Sequence, residues 1–168
     1  MARIAFLLDD VYEDSEFRVP YDRLREAGHE VVVLGLEKGK QVTGKKGDQF
    51  VIDAGPDAAD AESFDAVVVP GGFSPDKVRM QPELVALTRS AAEAEKPVAA
   101  ICHAGWVLAE ADVVRGRKVT SFPSIKTDLL NAGADWVNEE VVLDGPLITS
   151  RTPADLDAFC AAILKQLS

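Results

Sequence analysis

The sequence predicts an α/β fold with a mostly parallel central sheet, and two observations carry that expectation. Short runs rich in Val and Ile alternate with longer segments of helical period, which is the pattern of βαβ units. Four of the runs, Ile4–Leu8, Val31–Leu34, Ala66–Val69 and Val98–Ile101, show no polar alternation, as expected of strands covered by helices on both faces. At 168 residues the chain suits one domain, 1–168, of a size that buries roughly 70% of its unfolded surface.

The elements follow in order. Ile4–Leu8 is the first central strand. Glu13–Ala27 reads as a helix in which Phe17, Tyr21 and Leu24 recur at i, i+4 and i+7, with Gly28 as its C-terminal stop. Pro20 is discordant there, because it removes a backbone donor and crowds the preceding turn, so the helix should start near it or kink at it. His29 opens the second strand as a surface or turn residue. Gln41–Ile52 carries Gly44, Lys45, Lys46 and Gly47 between strand-like flanks, a hairpin at a sheet edge. The cluster of Lys38, Lys40, Lys45 and Lys46 reads as a solvated turn that protects that edge.

Gln81–Ala94 presents Leu84, Leu87 and Ala91 on one helical face, and Val119–Ser121 and Ile125–Ala132 supply a further strand and helix. Trp136–Leu143 and Leu147–Ser150 flank Asp144-Gly145-Pro146 as antiparallel strands. Ala154–Leu167 closes the chain as an amphipathic helix with Phe159, Ile163 and Leu167 inward.

Composition narrows the function classes. Hydrophobic residues make up 47% and charged residues 27%, which are globular proportions. With 18 basic against 28 acidic residues the net charge is −10, so phosphate backbones and anionic membranes are repelled and neither nucleic acid nor lipid is expected as partner. No apolar run approaches the ~20 residues that cross a bilayer, and the N-terminal apolar run meets Asp9 and Asp10 at once, so the chain reads as cytoplasmic. Two histidines and two cysteines show no zinc-site spacing, and no G-x-G-x-x-G follows the first strand; neither a metal nor another cofactor is expected. Cys102 and Cys160 sit in unlike contexts and read as free thiols.

Ligands of open α/β sheets collect at the carboxyl ends of the strands, so the residues after each buried run are the candidates. After Val98–Ile101 comes Cys102-His103-Ala104-Gly105, a cysteine with small neighbours between strand and helix. That is the logic of a nucleophile elbow, with the thiol exposed and favoured as thiolate by the helix N-terminus; the alternative is a buried core cysteine. His103 offers a backbone N–H for an oxyanion hole and a ring that can serve as base. After Ala66–Val69 comes Pro70-Gly71-Gly72-Phe73, where Gly71 and Gly72 let the backbone approach a bound group and contribute N–H donors. After Ile4–Leu8 come Asp9, Asp10, Glu13, Asp14 and Glu16. One of these acids should meet Cys102, and because an ionised carboxylate opposes a thiolate, that acid, expected to be Glu16, should have a raised pKa.

These residues resemble the PfpI and ThiJ superfamily, close to its branch of PfpI-type intracellular proteases, general stress proteins and protein deglycases. The resemblance runs along the whole chain: Glu13-Asp14-Ser15-Glu16 before Pro20-Tyr21, Arg23-Leu24, Val69-Pro70-Gly71-Gly72, Ala100-Ile101-Cys102-His103, Gly116-Arg117-Lys118, Asn131-Ala132-Gly133-Ala134 with Trp136, and Thr149-Ser150-Arg151 before Pro153. It implies a flavodoxin-like three-layer sandwich, a reactive Cys102, Glu16 as the acid bonded to the sulfur, and His103 as the histidine of the PfpI branch. It also implies that an acid from a neighbouring subunit orients the histidine. The matching position here is Asp76, one methylene shorter than the Glu of the archaeal proteases resembled. A homo-oligomer, a dimer or a trimer of dimers, is implied with it.

The superfamily's activities span peptide hydrolysis, removal of glyoxal and methylglyoxal adducts from proteins, cofactor-free glyoxalase chemistry and holdase chaperoning. The leading expectation is a stress-defence cysteine enzyme in which the thiolate attacks an electrophilic carbonyl of a small aldehyde, a glycated protein or a peptide. A non-catalytic holdase and a redox sensor are the alternatives. A glutamine amidotransferase is disfavoured, since no histidine follows His103.

Overall fold

The computed structural model describes all 168 residues. Ten strands and six helices form along the chain. They are β1 (Arg3–Leu7), α1 (Asp14–Glu26), β2 (Glu30–Leu34), β3 (Gln41–Thr43), β4 (Gln49–Val51), β5 (Ala66–Val69), α2 (Ser74–Val78) and α3 (Pro82–Glu93), followed by β6 (Val98–Ile101), α4 (Gly105–Glu110), β7 (Lys118–Val119), α5 (Lys126–Asn131), β8 (Asp135–Trp136), β9 (Val142–Asp144), β10 (Leu147–Ser150) and α6 (Leu156–Leu167).

Successive side chains of a strand face opposite ways, and here each face meets its own helices. Ala5, Leu7, Val67, Val69, Val98 and Ala100 pack with Leu84 and Leu87 of α3, Val107 and Leu108 of α4 and Leu129 of α5. Ile4, Phe6, Ala66, Val68, Ala99 and Ile101 pack on the other side with Phe17 and Leu24 of α1 and Phe159 and Ile163 of α6. This gives the three layers expected. The sheet order is β2-β1-β5-β6-β10-β9, parallel throughout except for β9, which pairs antiparallel with β10 across the Asp144–Leu147 turn. Counting only the five parallel strands, the order is 2-1-3-4-5, the flavodoxin-like arrangement, with β9 as an added antiparallel edge. It reverses direction at β1, and the crevice beyond the carboxyl ends of β1 and β5 is where such a fold places a ligand.

Helix α1 does not start near Pro20, one of the two outcomes expected there. It runs unbroken from Asp14 to Glu26 with Pro20 buried in its interior, so the ring costs the Glu16 carbonyl its i+4 donor without ending the helix. The aromatic packing around Phe17 offsets that cost: Phe6, Tyr12, Tyr21 and Phe50 all lie with ring centroids 5.0–6.0 Å from it. Gly28 at φ +93 ends the helix as expected, with Gly28 N–H donating to Arg25 and His29 N–H to Leu24, a Schellman closure.

Three other expectations are corrected. Trp136–Leu143 is not one strand: Asp135–Trp136 pairs parallel with Lys118–Val119 in a separate two-stranded sheet, and only Val142–Asp144 joins β10. The break serves side chains, since Trp136 Nε1 turns to donate to Ser121 Oγ and the Glu140 carbonyl accepts from Ser150 Oγ. The strand expected at Val119–Ser121 is Lys118–Val119, and it lies in this separate sheet rather than in the central one. The hairpin β3–β4 forms as expected, though it too stands apart from the central sheet, as a two-stranded ribbon of its own.

Candidate active site

Three strand ends converge on the crevice. At the end of β6, Cys102 takes φ +62, a left-handed conformation that costs a non-glycine residue about 1–2 kcal/mol. A single 3-10 turn, Cys102–Ala104, then leads into α4, where Gly105 packs so closely that a methyl on it would lie 3.1 Å from the side chains of Ile125 and Leu129. The expected elbow is therefore present, but the thiol is not exposed: Cys102 retains only 8% of its accessible surface.

At the end of β5, Gly72 lies at φ +79 and bridges Tyr12, while the Gly71 carbonyl accepts from Glu13 N–H at 3.2 Å and Phe73 N–H donates to Val11 at 2.8 Å. These bonds strap the β1–α1 loop onto the β5–α2 loop. A Cβ on Gly72 would strike that loop's backbone, 2.7 Å from the Val11 carbonyl oxygen, so this close approach admits only glycine.

The strap carries Glu16 into the crevice. Glu16 sits in the first turn of α1, fully buried, with neither carboxyl oxygen in a well-formed hydrogen bond. Burial, reinforced by the neighbouring Glu13 carboxylate, pushes its pKa up to about 8, although the Gly71 N–H, Lys45 and the Cys102 thiol beside it pull the other way. At neutral pH Glu16 is mainly a carboxylic acid. Burial, and then the charge that Glu16 acquires on ionising, pushes the Cys102 thiol up to about 12, against the pull of the Gly72 and His103 backbone N–H groups and Lys45. Desolvation thus outweighs the local dipole, contrary to the expectation of a thiolate set by the helix start.

His103 Nδ1 lies 3.2 Å from Cys102 Sγ and Nε2 3.1 Å from Ser124 Oγ. Its ring stacks on Phe122 at 4.9 Å and is flanked by Trp106 at 5.0 Å and Phe73 at 6.0 Å. Burial, helped by the Lys45 charge, lowers its pKa and keeps the ring neutral. If Nε2–H donates to Ser124, Nδ1 is free to accept from the thiol; the other tautomer reverses both bonds. A cavity of about 150 Å³ joins these groups, lined by Glu13, Glu16, Lys45, Gly72, Phe73, Cys102, His103, Phe122 and Pro153.

A thiol on a strained turn, an acid held protonated beside it and two backbone amides aimed at the sulfur are groups that can serve addition to a carbonyl. The sequence matches the DJ-1/PfpI family over residues 2–166. The chain belongs to the DJ-1/PfpI family. Protein/nucleic acid deglycase 2 of Escherichia coli is 47% identical over 167 residues, covering 98% of this chain and 97% of the relative. Deglycase PH1704 of Pyrococcus horikoshii is 45% identical over 165 residues, covering 98% and 99%. Among solved structures, a two-domain protein of Anabaena variabilis with DJ-1/ThiJ/PfpI-like and ferritin-like domains superposes with a TM-score of 0.97 at 45% identity, covering 99% of this chain. The chain corresponds to 48% of that longer protein. Both curated relatives are named as deglycases, and a third, from Bacillus subtilis and 45% identical, is named as a cysteine protease; the reading of this chain as a cysteine enzyme of the DJ-1/PfpI family agrees with these names.

Within this family member, the residues singled out in the sequence separate into three groups. Cys102, His103, Glu16 and Gly72 meet at the cavity. Gly71 lies beneath it: its N–H faces the Glu16 carboxyl, whereas the N–H groups facing the sulfur are those of Gly72 and His103. Asp76 stands on the exposed face of α2, and its carboxylate makes no hydrogen bond or ion pair within the chain. Two contributors were not anticipated. Ser124 supplies the Nε2 partner of His103, a role that a serine in a turn of separate sequence does not signal. Lys45, read as part of a solvated turn, lines the cavity and pairs with Glu13 at 3.4 Å.

Proposed function

We propose that this protein is a stress-defence cysteine enzyme of the deglycase and glyoxalase type, acting on small α-oxoaldehydes and on their adducts with proteins. The observation that carries this reading is the Cys102–Glu16 pair, a thiol beside a protonated, fully buried carboxyl, in a cavity of about 150 Å³. That volume equals about five water molecules, a fit for a small dicarbonyl rather than for a length of folded polypeptide.

The chemistry follows from the groups present. Cys102 Sγ bonds to the aldehyde carbon of methylglyoxal, and the thiol's proton ends on the former carbonyl oxygen, giving a hemithioacetal. Gly72 and His103 N–H groups stabilise that oxygen while it is negative. The carboxylate form of Glu16, the minor form at neutral pH, or His103 takes the first proton from sulfur. With its pKa near 8 Glu16 exchanges protons readily at neutral pH, and it carries the C1 proton to C2 through an enediol. Water then splits the resulting thioester, restoring the thiol and releasing lactate, so the sum is methylglyoxal plus water to lactate. On a glycated side chain C1 is a carbinolamine, so the amine, protonated by His103, leaves first as the C1 hydroxyl gives up its proton and becomes the carbonyl, and Sγ then adds to the aldehyde so released.

Asp76 enters this reading through assembly. A homo-oligomer that places Asp76 of a neighbouring copy beside His103 would orient the ring for amide hydrolysis, the chemistry of an intracellular peptidase. Sedimentation and peptidase assays of Asp76→Ala test it: an oligomer that loses peptidase activity without dissociating supports the arrangement. The primary test is lactate formation from methylglyoxal by the wild type and Cys102→Ser, against a thiol-only control. Catalytic lactate lost in the variant supports the proposal, and absence of turnover by reduced wild type overturns it.

A further inference from the structure

The hairpin tip is held over the cavity by more than its own turn. Lys45 N–H donates to the Tyr12 carbonyl at 2.8 Å, and the Asp14 carboxylate accepts from Lys46 N–H and Asp48 N–H at 3.2 Å each. Tyr12 Oη and Arg18 both hold the Asp48 carboxylate, at 2.7 and 3.0 Å. A side chain at Gly44 would run into Asp14 and Tyr12, so the hairpin docks as closely as its backbone permits. The docking fixes Lys45, whose ammonium lies 3.4 Å from Glu13 and 5.6 Å from the Phe73 ring centroid, at the wall that Cys102 also lines. Lys46 leans outward: its side chain is 72% exposed against 40% for Lys45, although it too pairs with Glu13.

We propose that Lys45 is the positioning cation of the nucleophile, supplying from the β3–β4 hairpin the positive charge that the ionised Cys102 faces, in place of an imidazolium at His103. The groups facing the sulfur are Glu16 and Glu13 from the start of α1, His103 beyond β6, and Lys45 from the hairpin, with Lys46 behind Glu13. Of these only the two lysines carry positive charge when His103 is neutral, and only Lys45 lines the cavity. Its field acts on three groups: it eases ionisation of Cys102, eases that of Glu16 and opposes protonation of His103. The Glu13 field falls chiefly on Glu16, so Lys45 does more than neutralise Glu13.

The proposal rests on Cys102 as the nucleophile, but its test does not use turnover and stands if the aldehyde substrate is wrong. The readout is the pH dependence of Cys102 alkylation by iodoacetamide, in which the sulfur displaces iodide and the thiol proton passes to solvent. Mass spectrometry separates Cys102 from Cys160. Lys45→Met should move the profile upward by about one pH unit, a roughly tenfold slower reaction at fixed pH below the inflection. Lys45→Arg should restore most of the rate and Lys46→Met should leave it in place. In Glu13→Gln/Lys45→Met the upward shift should persist. A Lys45→Met profile that coincides with wild type overturns the proposal. So does an equal shift in Lys46→Met, or a return to the wild-type profile in the double variant, since the effect would then be generic charge or Glu13 alone.

Discussion

Gly71 lies against Glu16 so closely that a methyl group on residue 71 would overlap Glu16 Oε1, while also falling 2.7 Å from Cys102 Cβ. The glycine therefore sets the distance between acid and nucleophile. Gly71→Ala should lower lactate formation at least tenfold, in kcat more than in KM, by driving the carboxyl off the sulfur. The overpacking should also cost about 1–3 kcal/mol in denaturant unfolding. An active, fully stable Gly71→Ala would show that the close approach is incidental.

The buried acid makes stability depend on pH. Glu16 has a raised pKa of about 8 through burial, so between its ordinary value of 4.5 and about 8 the folded state holds a proton that the unfolded state has released, and stability falls as pH rises across that window. Asp155 has the opposite sign. Its carboxylate accepts from Arg151 Nε at 2.9 Å and Nη2 at 3.0 Å. Burial alone would raise its pKa, but these charge-assisted bonds hold it below its usual range, so its contribution is present above 3.8 and lost as pH falls. Glu16→Gln should flatten the decline above pH 5 and raise stability at pH 8 by on the order of a few kcal/mol, as read from urea midpoints across pH.

His103 and Ser124 divide the two chemistries. Since Glu16 can move the protons in aldehyde conversion while an amide needs a protonated leaving amine, His103→Ala should keep lactate formation within about tenfold of wild type and abolish peptide hydrolysis. Ser124→Ala removes only the Nε2 partner of the ring. It should reduce peptidase activity severalfold and shift its pH profile, a change that simple loss of packing does not produce.

Asp14 clamps the hairpin through two backbone N–H groups. Asp14→Ala should cost about 1–2 kcal/mol of stability. It should also raise hydrogen exchange at Lys46 and Asp48 ahead of the central sheet.

How much of this was legible in sequence depends on how local the signal is. The buried strands announce themselves by runs of Val and Ile with no polar alternation, and the strand-end position of Cys102 follows from them. Glu16 was legible because its raised pKa is demanded by a thiol nearby. Pro20 misled, since local propensity says break and the aromatic packing of Phe17 decides otherwise. Trp136–Leu143 misled because alternation does not show which partner a strand finds. Lys45 was illegible for a topological reason: a charged turn reads as solvated until Tyr12 and Asp14, some thirty residues earlier, fold under it. The burial of Cys102 was only the alternative reading on the same ground, because, His103 aside, the other residues that line its cavity come from five separate parts of the chain.

The left-handed backbone at Cys102 carries an evolutionary cost that the chemistry must outweigh. Glycine at that position would relieve the strain and remove the nucleophile in one substitution. At this one turn, therefore, folding and the proposed chemistry favour different residues.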